Sequence, residues 1–149
     1  MIAGILHLIT EWYYRGVGST RLNAVEDLCF RAWREIIPTQ GRAILDSQIG
    51  RVSYVERQAG GAKVICRYPS DEPHELFRNT EPDQVVAIVI LGPIGVTSDQ
   101  HNFHANIIVH RGRFFSIEFP KAPRRLLKKH AIPEEQLRVV RVEQLLIVE

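Results

Sequence analysis

The sequence predicts an α+β protein in which N-terminal helices pack on a curved, mainly antiparallel sheet of about five to six strands. Apolar residues recur at helical spacing in the first third of the chain, and they alternate with polar residues in most of the remainder. The run VVAIVIL, residues 85–91, is apolar at every position, which favours a central strand with both faces covered. With 149 residues, the chain 1–149 is expected to form a single domain.

Three helices are expected before the strands. The first covers residues 2–14, where isoleucines and leucines share one face. The second is expected to be capped by Ser19 or Thr20 and to end before the proline that follows its apolar stripe. A third, shorter helix is expected over residues 42–49, although glycines flank it.

Strand patterns follow these helices. Residues 52–58 and 63–68 flank Gly60-Gly61, which predicts a hairpin with a two-residue turn. Residues 92–100 are expected to be a loop, and a mobile binding loop fits their two glycines better than a phosphate cradle does. The last strand is expected from residue 137 to 142, or on to 148.

A second hairpin is predicted between Phe103 and Phe119, where apolar and polar residues alternate on both sides of Gly112. A two-residue turn would place Ser116 opposite Ile107 and divide the apolar face. A three-residue turn over 110–112 pairs Ile107 with Phe115 instead. Because a one-residue slip reverses every side chain, the pattern favours the three-residue turn.

That register creates the first candidate site, because it places His104 opposite Glu118 with Ser116 on the same face. A histidine beside a carboxylate is the arrangement that orients a general base. Polar pairs on a solvated sheet face are also common and stabilise a protein only slightly. We therefore interpret these residues as a surface pair, with a hydrolytic or small-ligand site as the alternative.

The second candidate site is the basic segment PKAPRRLLKKH, residues 120–130, which contains five cationic residues and no acidic one. A helix that starts at its second proline places Arg124, Arg125, Lys128 and Lys129 on one side. Such a patch attracts phosphates or acidic protein surfaces. We interpret the segment first as a solvated helix surface. Because it has no interleaved aromatic residue on which bases could stack, an acidic protein partner is the second interpretation and a nucleic acid the third.

Composition and charge limit the partners, cofactors and location that are expected for this chain. The formal net charge is only +2, so any electrostatic recognition depends on where charges cluster. Cys29 and Cys66 are expected to be buried thiols, and no residues have the spacing of metal ligands, so neither a metal nor a cofactor is expected. The N-terminus resembles neither a signal sequence nor a membrane span, which indicates a cytoplasmic protein without a membrane partner.

These observations predict a small non-catalytic domain that binds another protein, as inhibitors, immunity proteins and adaptors do. The first alternative is a nucleic-acid-associated protein that uses residues 121–129. The second is the site around His104 and Glu118. The sequence leaves the oligomeric state open.

Overall fold

The structure is a computed structural model, and it describes residues 21–69, 75–78, 84–95 and 101–148. The expected helix over residues 2–14 lies outside these ranges. The regular elements of the described residues are, in chain order, α1 (Ala24–Ile36), α2 (Thr39–Ile49), β1 (Tyr54–Gln58), β2 (Lys63–Arg67), β3 (Gln84–Pro93), β4 (Phe103–His110), β5 (Arg113–Glu118), α3 (Pro123–Lys129) and β6 (Leu137–Gln144).

The six strands form one antiparallel sheet in the order β1-β2-β5-β4-β3-β6, which confirms the α+β prediction. Helix α1 packs against this sheet, and its Phe30 ring lies 5.4 Å from that of Phe114 on β5. Strand β3 is flanked by β4 and β6, as its apolar sequence predicts. Its two faces differ, however: Val89 is fully buried, whereas Ile88 and Ile90 are only half-buried.

Helix α1 begins later than its expected cap at Ser19 or Thr20, because Asn23 and Glu26 form a capping box. The Asn23 side chain accepts a hydrogen bond from the backbone N–H of Glu26, and the Glu26 carboxylate accepts one from the backbone N–H of Asn23, both at 2.9 Å. Two of the amides that a helix start leaves without partners are thereby satisfied.

Helix α2 extends over Thr39–Ile49 and so begins three residues before the expected range of 42–49. Gly41 lies inside it and is buried. A side-chain Cβ at position 41 would come within 2.9 Å of the Val148 carbonyl oxygen. The glycine therefore allows the C-terminal backbone to approach the helix closely and does not interrupt it.

A fully buried glutamine, Gln48, joins α2 to the β4–β5 turn and to residues 75–78. Its amide nitrogen donates to the carbonyl oxygens of Glu75 at 2.7 Å and Gly112 at 2.8 Å. Its amide oxygen accepts a hydrogen bond from the Phe114 N–H at 2.9 Å. A single side chain thus satisfies backbone groups from two distant parts of the chain.

We expect Gln48→Ala to lower the free energy of unfolding by about 2–3 kcal/mol, because the Phe114 N–H would stay buried without its acceptor. Urea unfolding checks this value. Gln40→Ala, an exposed position on the same helix, is the matched control and should change stability by less than about 0.5 kcal/mol. Equal effects of the two substitutions would contradict the role given to Gln48.

The first hairpin forms where it was predicted, but its turn is longer. Val55 and Cys66 face each other and are buried, and Val64 lies on the same side. The last pair is Gln58 with Lys63, which leaves the four residues 59–62 in the turn. The predicted two-residue turn at Gly60-Gly61 is therefore wrong. Positive φ angles at three successive residues, 59–61, form this wider turn.

The predicted three-residue turn of the second hairpin is wrong. His110 pairs with Arg113, so the turn contains only Arg111 and Gly112, both with positive φ, as a type I′ turn requires. A bulge then shifts the register, so that Ile107 faces Ile117.

The bulge restores the alternation that a two-residue turn would otherwise break. Phe114 consequently occupies the core, whereas Phe115, which was expected there, is half-buried.

Candidate functional site on the basic helix

The basic segment forms helix α3 as predicted, with Pro123 in its first turn. Leu127 is buried and fixes the helix to the core. His130 caps the C-terminus of the helix, and its N–H donates to the Leu126 carbonyl oxygen at 3.1 Å. The cationic side chains of the segment all lie at exposed positions: Lys121, Arg124, Arg125, Lys128 and Lys129. A rigid support thus presents five positive charges to solvent.

None of these five side chains forms an ion pair with another described residue. Several arginines elsewhere are paired: Arg67 lies 2.6 Å from the Glu56 carboxylate, and Arg34 lies 2.7 Å from that of Asp46. Hydrogen bonds from these arginines hold the pKa values of both carboxyl groups below their ordinary range. Within the described ranges, carboxylates thus balance several cations but none of the five on residues 121–129.

A groove of about 430 Å³ runs between the β1–β2 turn and this helix. Its cations are Lys121, Arg125 and Lys129, and its described lining residues include no acidic side chain. The rest of the lining is small and apolar: Ala59, Ala62, Pro120, Ala122 and Leu126. The Phe119 N–H donates to the Ala62 carbonyl oxygen at 2.7 Å, which fixes the two sides of the groove relative to each other. We call it the basic groove.

A second groove, of about 550 Å³, lies between the start of α1, the β1–β2 turn and the other side of α3. Arg124 and Glu134 line it together with the partly buried ion pair Glu26–Arg57. The two carboxylate oxygens of Glu26 accept hydrogen bonds from Arg57 at 2.6 and 2.9 Å. Two cations, Arg57 and Arg124, and two anions, Glu26 and Glu134, are among its described lining residues. We call it the neutral groove. Arg57 is already engaged there, so an acidic ligand gains less in it than in the basic groove.

The predicted pairing of His104 with Glu118 is wrong, because the two-residue turn and the bulge shift the register. Glu118 faces Asn106, and His104 faces Ile90 on β3. Ser116 is buried and donates a hydrogen bond to Glu118 at 3.4 Å. The same carboxylate oxygen lies 3.3 Å from the Lys63 amine. Ser116 is therefore next to a carboxylate paired with a lysine and is not activated by the expected histidine–carboxylate pair.

The predicted loop over residues 92–100 begins later than expected, because Gly92 and Pro93 end strand β3. A Cβ at position 92 would clash with the side-chain oxygen of Asn102. This glycine therefore makes room for an asparagine of the same chain. Residues 96–100 of the loop lie outside the described part of the chain.

Cys29 and Cys66 are free, buried thiols, as predicted. Burial raises the pKa of each thiol to about 12, so both remain protonated at neutral pH and are poor nucleophiles. Within the described residues, no group of three or more His, Cys, Asp or Glu side chains is placed to hold a metal ion.

No protein family, curated protein or solved structure matches this chain. Among the helices in the described ranges, none is both long and apolar enough to span a bilayer.

Proposed function

We propose that this chain is a non-catalytic binding domain that recognises an acidic segment of another protein through the exposed cations of residues 121–129 and the basic groove beside them. The observation that carries the proposal is the set of five exposed cations on residues 121–129, which have no ion-pair partner among the described residues. Carboxylates on a partner would supply the missing charge.

The lining of the basic groove favours a peptide over a nucleic acid. Its non-cationic residues are alanines, a proline and a leucine, which provide apolar surface for aliphatic side chains. Sequence-tolerant binding of single strands depends on aromatic side chains that stack on bases, and the described lining has none. A segment that combines acidic and aliphatic side chains matches both the charge and the apolar surface of the groove.

Four of the exposed cations are changed together: Arg124→Gln, Arg125→Gln, Lys128→Gln and Lys129→Gln. We expect this quadruple variant to associate with an acidic, leucine-containing peptide at least about tenfold more slowly, because electrostatic steering is lost. Stopped-flow or surface-plasmon-resonance kinetics at several salt concentrations measure the effect. The same probe should bind the unmodified protein more slowly as salt rises.

The matched control removes the same amount of charge elsewhere on the surface. Arg51, Arg78, Arg111 and Arg138 are exposed, and changing all four to glutamine should alter association less than about threefold. If both quadruple variants behave alike, only net charge matters and the proposed site is wrong.

Nucleic-acid binding is the competing outcome. Micromolar binding of the unmodified protein to random duplex DNA at physiological salt, lost in the variant at 124, 125, 128 and 129, would replace the present proposal. In that case the slope of log affinity against log salt should flatten by about 3 to 4, since each lost phosphate contact contributes about 0.9 for duplex DNA.

A further inference from the structure

Two histidines that are far apart in the sequence lie side by side in the fold. His101 precedes strand β4, and His130 follows the last residue of α3. Their ring centroids are 4.8 Å apart, and the ring planes are inclined at 57°. The docking of α3 beside the start of β4 therefore brings two imidazoles together on one side of the protein.

One of these imidazoles has a nitrogen atom that makes no hydrogen bond to a described residue. The Nδ1 atom of His101 is buried and has no hydrogen-bond partner among the described residues. A small cavity of about 30 Å³ is lined by both histidines, together with Asn102, Phe103, Leu126 and Ile132. Such a volume accommodates one water-sized occupant, since roughly 10–15 Å³ is the minimum for a single probe sphere.

We propose that His101 and His130 together bind one divalent first-row transition ion, with water completing its coordination. Imidazole nitrogen suits zinc, copper and nickel ions, and an ion in the cavity would supply the missing partner of the buried nitrogen. His130 is exposed, so solvent reaches this side of the site.

The separation of the rings fits two ligands of one ion. An imidazole nitrogen binds zinc at about 2.0–2.1 Å, so each ring centre lies about 3.2 Å from the metal. Two such centres are about 4.5 Å apart for ligands at a right angle and about 5.2 Å apart at the tetrahedral angle. The observed 4.8 Å lies between these values.

Nearby charge opposes the ion but does not prevent its binding. Lys128 and Lys129 precede His130 directly, and both side chains are exposed, so mobile salt screens their repulsion. We therefore expect zinc affinity to rise modestly between low and physiological salt, the opposite of the salt effect expected for an acidic peptide. This difference separates the two surfaces experimentally.

Zinc, as a redox-inert probe, tests the site in the full chain. Isothermal titration calorimetry at pH 7.5 should show one ion per chain. His101→Ala and His130→Ala should each weaken binding at least tenfold, because either change leaves a single imidazole. The double variant should be little weaker than either single one. His104→Ala is the matched control, since His104 is a half-buried histidine on β4, the strand that follows His101, and should change affinity less than twofold.

A further readout does not depend on calorimetry. Copper bound in place of zinc should give an electron paramagnetic resonance signal with coupling to two imidazole nitrogens. Circular dichroism of the metal-free variants shows that they are folded, and the exposed position of His130 makes this the safer of the two substitutions.

Three outcomes would overturn the proposal. Zinc that binds equally well to the His130→Ala variant occupies another site. An absence of stoichiometric binding shows that the cavity holds only water and that the two rings merely pack together. A copper signal with one coupled nitrogen shows that the histidines do not act as a pair.

Discussion

We expect Trp33→Ala to lower the free energy of unfolding by about 3–5 kcal/mol, the range for emptying a large aromatic site in a core. Trp33 lies on α1 and is fully buried. Its ring is 5.9 Å from that of Phe114 on β5 and 6.0 Å from that of Phe77. Its removal would leave a cavity where the helix, the sheet and residues 75–78 meet. Urea unfolding followed by circular dichroism measures the loss.

Two further substitutions show whether cavity formation causes this loss. The Nε1 atom of Trp33 is buried and has no hydrogen-bond partner among the described residues, so Trp33→Phe sacrifices no polar contact within them and should cost less than Trp33→Ala. Ile36→Ala changes an exposed position on the same helix and should cost less than about 1 kcal/mol. A loss below 1 kcal/mol for Trp33→Ala would mean that the side chain is exposed and belongs to an interface.

For the described residues, the sequence predicted the order of the helices and strands, because hydrophobic periodicity follows directly from burial on one face. It predicted the turn between β4 and β5 incorrectly for the same reason. Alternation alone required an odd number of turn residues, whereas the chain uses a two-residue turn and restores the alternation with a bulge. A bulge has no strong sequence signature, so parity arguments assume that none is present. The error moved Glu118 by two positions on β4, away from His104.

The basic helix was predictable because its charges, its proline and its leucines are contiguous in the sequence. The grooves on either side of this helix could not be predicted from the sequence. They depend on the β1–β2 turn lying beside residues 120–122, which follows from the pairing of β2 with β5. The proximity of His101 to His130 likewise arises from tertiary packing. Local patterns carry little information about which distant segments meet.

The ion pair between Glu26 and Arg57 should be the most sensitive polar contact in the described part of the chain. The side chain of Glu26 is only 3% exposed and that of Arg57 16%. Glu26→Ala removes the partner of a largely desolvated guanidinium and also half of the capping box of α1. We expect this substitution to lower the free energy of unfolding by about 3–5 kcal/mol, the cost of leaving a buried charge uncompensated.

A double-mutant cycle separates the ion pair from the helix cap. Arg57→Met alone and together with Glu26→Ala removes the charge that Glu26→Ala would leave behind. The double variant should therefore be more stable than Glu26→Ala by about 1–3 kcal/mol, because no unpaired charge remains buried. Strictly additive losses would show that Glu26 acts through the cap alone. A strong Glu26–Arg57 pair also keeps Arg57 from attracting ligands into the neutral groove. If the pair is strong, the basic groove should retain its affinity for an acidic peptide in every variant of the cycle that remains folded.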